Sequence, residues 1–175
     1  MSKKVDPQTL AVQATEIYET GDFPAAAQAF SETADAYSSA GDKLMAAEMK
    51  NNQCVSLLRA GLAQSALEAV EGTEADFAAA GDFRRLGVAH ANRASVLEVM
   101  KRHDDAIADY VKAGESLERA GEDQMHLQVM QLLSGLYLRR WKFLNAVIAL
   151  QSGLAGVKEP TPKQRLMKKL LFIRL

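Results

Sequence analysis

The chain of 175 residues contains a single cysteine, Cys54, so it cannot form a disulfide within itself. It has no run of about 18 apolar residues, the length that a membrane-spanning helix needs. Its first ten residues lack the apolar core of a signal peptide. Only four prolines occur, which leaves long stretches free to be helical. These absences predict a helical protein of a reducing compartment, with the cytoplasm as the default location.

Motifs of common catalytic sites are also missing. The three histidines share no ligand spacing with the cysteine or with one another, so we expect no metal site. Neither a phosphate-binding loop nor the G-x-S-x-G motif of hydrolases is present. We interpret Asp104 and Asp105 as a helix cap rather than a catalytic acid and base, and Cys54 as a packed, inert thiol. The sequence therefore predicts a protein that is not an enzyme and binds no cofactor.

Glycine recurs with a period of 20 residues. It occupies Gly21, Gly41, Gly61, Gly81 and Gly121, while Lys101 and Trp141 fill the two remaining positions. Glycine is favoured just past a helix end, where φ is often positive. An acid that favours the next helix N-terminus follows at Asp22, Asp42, Asp82 and Glu122. The pattern predicts helices of roughly 17 residues, about 25 Å long. In 103–120 the apolar residues form one stripe, and we place Asp105, Asp109, Lys112 and Arg119 away from most of it.

Pairs of these segments repeat every 40 residues. On the first helix of each pair a small residue recurs at Ala14, Cys54, Ala94 and Ser134. A large residue follows three positions later, at Ile17, Leu57, Leu97 and Tyr137. On the second helix an alanine precedes a large residue by four positions: Ala26 and Phe30, Ala66 and Val70, Ala106 and Tyr110, Ala146 and Leu150. Small residues at a helix crossing, with large residues filling the gaps, are typical of packed helix hairpins.

This pattern resembles the tetratricopeptide repeat family, whose motif has a small residue, a large one three positions on, and A-x₃-F on the second helix. The 40-residue period is similar to a longer-helix variant of that family. The resemblance covers about residues 6–155 and implies an all-α fold, a right-handed α-α superhelix of about four helix-turn-helix hairpins. The early tryptophan position of the motif reads Leu10, Lys50, His90 and Met130, and the closing proline is absent. Periodicity alone fits another helical solenoid equally well.

We expect one domain over residues 1–175, with repeats at approximately 4–40, 42–80, 82–120 and 122–156. The segment KEPTP at 158–162 ends the helical pattern, and a capping helix is predicted over 161–175. Thr161 is its predicted N-cap, with Pro162 in the first turn. Such a helix would cover the open apolar face of the last repeat. The predicted covering residues are Leu166, Met167, Leu170, Leu171 and Ile173.

In the tetratricopeptide family the first helix of each hairpin lines a concave groove, so the resemblance implies a protein or peptide partner. In many members an asparagine two residues before the small position bonds the partner's backbone, and Asn52 and Asn92 match that position. Asn51 and Gln131 lie one residue earlier. An amide both donates and accepts, which suits a peptide group. The alternative is that these amides are solvated or bridge neighbouring helices. Three charged residues farther along the same helices are candidates for ion pairs with charged groups of the partner: Arg59, Glu98 and Arg139. The alternative is that they are ordinary solvated residues.

The net charge of −1 is unevenly distributed along the chain. Residues 1–138 hold 12 Lys and Arg against 21 Asp and Glu, whereas residues 139–175 hold 9 against the single Glu159. The basic end has three interpretations: a solvated face of the capping helix, contact of 163–175 with anionic lipid, and pairing with the acidic body of another copy. The last would make the chain a self-assembling structural module and a homo-oligomer. A membrane is a less favoured partner than another copy of the chain. The excess of acidic over basic residues in most of the chain argues against binding of nucleic acid.

Overall fold

A computed structural model describes residues 6–171, which form ten helices and contain no strand. The helices are α1 Pro7–Glu19, α2 Phe23–Ser39, α3 Lys43–Arg59, α4 Ala63–Val70, α5 Thr73–Ala80, α6 Phe83–Val99, α7 His103–Arg119, α8 Asp123–Arg139, α9 Phe143–Gly156 and α10 Pro162–Leu171. Helices that follow one another in the chain pack in pairs, as in a helical solenoid. The predicted all-α class is confirmed. Within 6–171, no helix has the length and apolar character required to span a bilayer.

The turns between helices have positive φ at a period of 20 residues. The five glycines of the period have φ values from 69° to 85°: Gly21, Gly41, Gly61, Gly81 and Gly121. Lys101 and Trp141 adopt the same backbone conformation, with φ of 60° and 59°. A side chain in this region costs about 1–2 kcal/mol because Cβ approaches the following carbonyl oxygen. The turn geometry is therefore kept even where its preferred residue is missing.

Side chains at the turns cap several helices as predicted. The Oδ1 atoms of Asp22, Asp42 and Asp82 accept hydrogen bonds from the backbone N–H groups of Ala25, Met45 and Arg85, at 3.1, 3.0 and 3.0 Å. Thr161 caps α10 in a reciprocal pair: its hydroxyl accepts from Gln164 N–H at 3.3 Å, and its own N–H donates to Gln164 Oε1 at 2.8 Å. These bonds satisfy N–H groups that have no partner inside the helix.

Asp104 and Asp105 are not helix caps, so that prediction is wrong. The N-cap position of α7 is Arg102. Asp105 forms an ion pair with Arg102 at 2.8 Å, and Asp104 forms one with Arg140 at 2.8 Å. The two acids lie inside the first turn of α7, where their charge still suits the positive end of the helix dipole.

The small residues of the repeat meet where paired helices cross. All eight small positions are buried: Ala14 and Ala26, Cys54 and Ala66, Ala94 and Ala106, Ser134 and Ala146. In the fourth hairpin the contact is direct, because the Ser134 hydroxyl donates a hydrogen bond to the Ala146 carbonyl oxygen at 2.9 Å. The predicted burial of these positions is confirmed.

The second hairpin departs from the predicted pattern, because its second helix is broken into α4 and α5. Each part has eight residues. The break lies at Glu71, whose backbone is extended, and Gly72, whose φ is 83°. Thr73 is buried and its hydroxyl donates to the Val70 carbonyl oxygen at 2.8 Å, which occupies an acceptor at the end of α4. The expectation of one helix of about 17 residues is therefore wrong here.

Helix α10 covers the last hairpin with only part of its predicted face. Met167 and Leu171 pack with Leu127, Leu154 and Val157. The other two predicted leucines point away from this cluster and are 59% and 63% exposed, Leu166 and Leu170 respectively. The covering role predicted for them is wrong, and Ile173 lies outside the described residues.

Replacing Gly41 with alanine tests the requirement for positive φ. A Cβ atom at this position would meet no atom within 4 Å, so only the backbone conformation opposes it. We expect Gly41→Ala to lower the free energy of unfolding by about 1–2 kcal/mol. Lys101→Ala is the matched control, because a residue with Cβ already occupies that conformation. Urea unfolding followed by circular dichroism measures both, and equal losses in the two variants would contradict this account.

Candidate functional site

Two adjoining depressions on the first helices of the hairpins share one residue, Asn52. The first has a volume of about 270 Å³ and is lined by Thr15, Tyr18, Phe30, Asn52 and Val55. The second has a volume of about 90 Å³ and is lined by Glu48, Asn51, Asn52, Phe77, Arg84, Arg85 and Val88. We call the two together the amide groove. It places a polar amide between an apolar hollow on one side and a charged one on the other.

The asparagines predicted to contact a partner have different environments. Asn51 is buried; its amide donates to the Ala47 carbonyl oxygen at 3.1 Å, and its Oδ1 accepts from Asn92 Nδ2 at 3.2 Å. The Asn51–Asn92 bond therefore bridges α3 and α6, which is the alternative that the sequence left open. Asn52 is half-buried, and its side-chain amide makes no hydrogen bond within residues 6–171. Of the three, Asn52 retains the most hydrogen-bonding capacity.

The remaining predicted groove residues lie outside the amide groove. Glu98 and Arg139 form an ion pair between α6 and α8, and Glu98 also accepts a hydrogen bond from the Tyr110 hydroxyl at 3.3 Å. Arg59 lies over the ring of Phe23, 5.2 Å from its centroid. The last member of the set, Gln131, is exposed on α8. Glu98 and Arg139 thus satisfy each other's charge, and Arg59 is engaged with an aromatic ring.

A larger depression, of about 880 Å³, lies along α1 beside the start of α3 and adjoins the amide groove at Thr15. We call it the acidic groove. Its lining residues are Asp6, Pro7, Gln8, Ala11, Val12, Thr15, Glu16, Glu19, Tyr37, Ala40, Asp42 and Met45. Four of them are carboxylates, and no cationic side chain lines it among the described residues. Burial, and then the charges of Asp6, Asp42 and Glu48, raise the pKa of Tyr37. The groove therefore has a negative potential.

A buried ion-pair network joins the second and third hairpins. Asp109 on α7 is only 4% exposed, so its predicted place away from the apolar stripe is wrong. Arg93 on α6 binds its carboxylate with two hydrogen bonds, Nε to Oδ2 at 2.6 Å and Nη2 to Oδ1 at 2.7 Å. Arg93 also pairs with Glu74 on α5, and His90 Nδ1 lies 3.5 Å from Asp109 Oδ1. Sequence reasoning missed this network because Arg93 and Asp109 are on different helices.

The charge state of Asp109 is set by these neighbours. Burial alone would raise its pKa, but the hydrogen bonds from Arg93 and the proximity of His90 outweigh burial and lower the pKa to about 2. Asp109 is therefore ionised at neutral pH and neutralised by Arg93. Two hydrogen bonds in the fixed fork geometry of a guanidinium hold the carboxylate in place. The network fastens α5, α6 and α7 to one another.

The thiol of Cys54 and the grouping of possible metal ligands can be described directly. Burial raises the pKa of the Cys54 thiol to about 12, so it remains protonated at neutral pH and is not poised as a nucleophile. Within 6–171 no three His, Cys, Asp or Glu side chains cluster as metal ligands would. Other depressions occur among the described residues, including one of about 370 Å³ lined by Arg93 and Asp109. The two adjoining grooves on the first helices differ in having an open amide at the centre of one and negative charge in the other.

Comparison of the chain with models of known protein families finds no match. Comparison with curated proteins also finds no match. The resemblance to tetratricopeptide repeats therefore rests on the register of small and large residues alone, and the function has to be argued from the grooves.

Replacing Asp109 with asparagine tests the buried network. Arg93 would lose its main counter-charge, and we expect the free energy of unfolding at pH 7 to fall by roughly 3 kcal/mol. The folded-state pKa of about 2 lies below an unfolded value of about 3.9, so the carboxylate stabilises the fold above about pH 4. That contribution, roughly 2–3 kcal/mol, is lost as pH falls from about 4 toward about 2. The difference between wild type and variant should shrink across this window.

Urea titrations at several pH values, followed by circular dichroism, measure that difference. The control is Asp105→Asn, which removes a carboxylate whose pair with Arg102 is exposed. Such pairs contribute about 0–1 kcal/mol, so this variant should stay close to wild type. If Asp109→Asn were no less stable than the control at pH 7, the network would not fasten the hairpins.

Proposed function

We propose that the protein binds a segment of another protein in the amide groove, as a scaffold or adaptor of the tetratricopeptide type without enzymatic activity. The observation that carries the proposal is the Asn52 side chain, which forms the shared wall of two depressions and has no hydrogen-bond partner within 6–171. Its two polar atoms remain open to solvent, so a ligand can take the place of the water that bonds them. A peptide group of a ligand would supply both an acceptor and a donor.

The chemistry of the two depressions suggests what the segment carries. Tyr18, Phe30 and Val55 line the first depression and suit an apolar side chain. In the second depression, Arg85 forms ion pairs with Glu48 at 2.7 Å and with Asp82 at 3.1 Å, so its positive charge is largely neutralised within the protein. We therefore propose an extended segment that inserts an apolar side chain beside Tyr18 and bonds Asn52 through its backbone. Recognition of this kind takes affinity from main-chain bonds and selectivity from pockets.

Two further features support a rigid binding surface. The Asn51–Asn92 bond holds α3 and α6 together at the wall of the groove that Asn51 lines, and the Arg93 network holds α6 against α5 and α7. A preformed groove avoids the entropy cost of ordering the site on binding. We place the protein in the cytoplasm as part of the same proposal, because its single cysteine is a buried free thiol, which suits a reducing compartment.

The test is selection of peptides from a displayed random library on the wild-type protein, followed by affinity measurement with a labelled peptide. Asn52→Ala should raise the dissociation constant by about two-fold to 150-fold, since it removes one or two hydrogen bonds of about 0.5–1.5 kcal/mol each. Asn145→Ala is the matched control, because Asn145 is an exposed asparagine on α9. It should bind as the wild type does.

The Asn92→Ala variant distinguishes an effect on peptide binding from an effect on the stability of the fold. It breaks the bond to Asn51, so we expect it to lower stability, as removal of one partner of a buried hydrogen bond does by about 1–3 kcal/mol. Its effect on peptide affinity should be smaller than that of Asn52→Ala. Selected peptides that bind wild type and Asn52→Ala equally would contradict the proposed site.

A further inference from the structure

In the described part of the first hairpin, all charged side chains are acidic. Residues 6–42 contain seven Asp and Glu and no Lys, Arg or His. Four of these carboxylates line the acidic groove: Asp6, Glu16, Glu19 and Asp42. The groove also has apolar lining from Ala11, Val12 and Met45, and Val12 is 55% exposed. An apolar surface flanked by carboxylates that form no ion pair within residues 6–171 suits a short basic helix with an apolar side.

Helix α10 at the other end of the chain has that composition. Its inner side packs on α9 through Met167 and Leu171. Its outer side presents the two exposed leucines together with exposed cations: Lys163, Arg165, Leu166, Lys169 and Leu170. None of these cations forms an ion pair among the described residues. The last hairpin therefore ends in an apolar and basic surface that nothing within 6–171 covers.

The two surfaces match in length as well as in charge. The α1 residues that line the acidic groove run from Pro7 to Glu19, about 18 Å of helix. Helix α10 has ten residues, or about 15 Å. The two surfaces are far apart in the order of packed helices, because α10 packs on α9 whereas α1, α2 and α3 form the acidic groove and α4 to α8 come between.

We propose that the acidic groove of one copy binds the outer side of α10 of a second copy, so that the protein associates head to tail. Leu166 and Leu170 would lie against Val12 and the other apolar residues of the groove, with cations facing the carboxylates. Because the two surfaces differ, every added copy leaves one of each free, and the assembly is a chain or a closed ring. This goes beyond the proposed function, since it uses neither Asn52 nor an outside partner.

The experiment measures the mass of the full chain in solution by sedimentation velocity against protein and salt concentration. We expect the mass to rise with protein concentration at about 0.1 M salt and to fall at about 1 M. Over that range the Debye length shortens from about 10 Å to about 3 Å, which screens exposed charges. A wild-type chain that stays monomeric at low salt and high concentration overturns the proposal.

Charge reversal identifies the surfaces. Glu16→Lys/Glu19→Lys in the groove and Arg165→Glu/Lys169→Glu on α10 should each weaken self-association about ten-fold or more. The variant that combines all four substitutions restores opposite charges and the wild-type net charge, and it should associate again. All the changed residues are exposed, and circular dichroism verifies that each variant is folded. Failure of the combined variant to regain association overturns the proposed pairing.

Two controls keep this result separate from partner binding. Glu32→Lys/Asp35→Lys makes the same charge change at exposed positions of α2 in the same hairpin, and it should associate as the wild type does. Asn52→Ala should also associate normally, whatever its effect on peptide affinity. If the wild type is monomeric and instead co-sediments with vesicles of phosphatidylserine and phosphatidylcholine, and Arg165→Glu/Lys169→Glu does not, the outer side of α10 belongs to a lipid surface and head-to-tail pairing is overturned.

Discussion

Close approach of paired helices at small residues is the constraint on which the rest of the structure depends. At each crossing a small side chain of one helix meets an alanine of the next, and in the fourth hairpin the Ser134 hydroxyl bonds the Ala146 carbonyl oxygen at 2.9 Å. Larger side chains would separate the helices and open cavities between them. Because the crossing recurs every 40 residues, it sets α1, α3 and α6 beside one another and brings Asn52 to the wall shared by two depressions.

The second hairpin shows how a departure from the repeat is stabilised by tertiary contacts. The break at Gly72 shortens the helix and allows α5 to pack against both α3 and α6. It also places Glu74 beside Arg93, which in turn neutralises Asp109. A buried carboxylate is tolerated only with such a partner. The charged network holds α6 against α5 and α7, and the Asn51–Asn92 bond holds it against α3, the helix that carries Asn52.

Features governed by local chemistry could be predicted from the sequence, and features that depend on which helices meet could not. Turn glycines, aspartate caps and the Thr161 cap follow from neighbouring residues, as does the burial of small positions such as Cys54. Asp109 was misplaced because its partner Arg93 lies on another helix. The helix break at Gly72 is not predicted, because this glycine falls outside the 20-residue period. The same limit applies to the site, since nothing local indicates that Asn92 bonds Asn51 whereas Asn52 keeps a free amide.

On the proposed function, Asn52 marks the surface that binds a partner. The most direct measurement is an ¹⁵N nuclear magnetic resonance titration of the protein with a selected peptide, following the side-chain amide signals of its asparagines. We expect the Asn52 amide signals to shift in proportion to binding, together with backbone signals of Tyr18 and Val55, which line the same depression. The signals of Asn145 on α9 should stay in place. Saturable binding that shifts α9 and leaves Asn52 unmoved would contradict the claim.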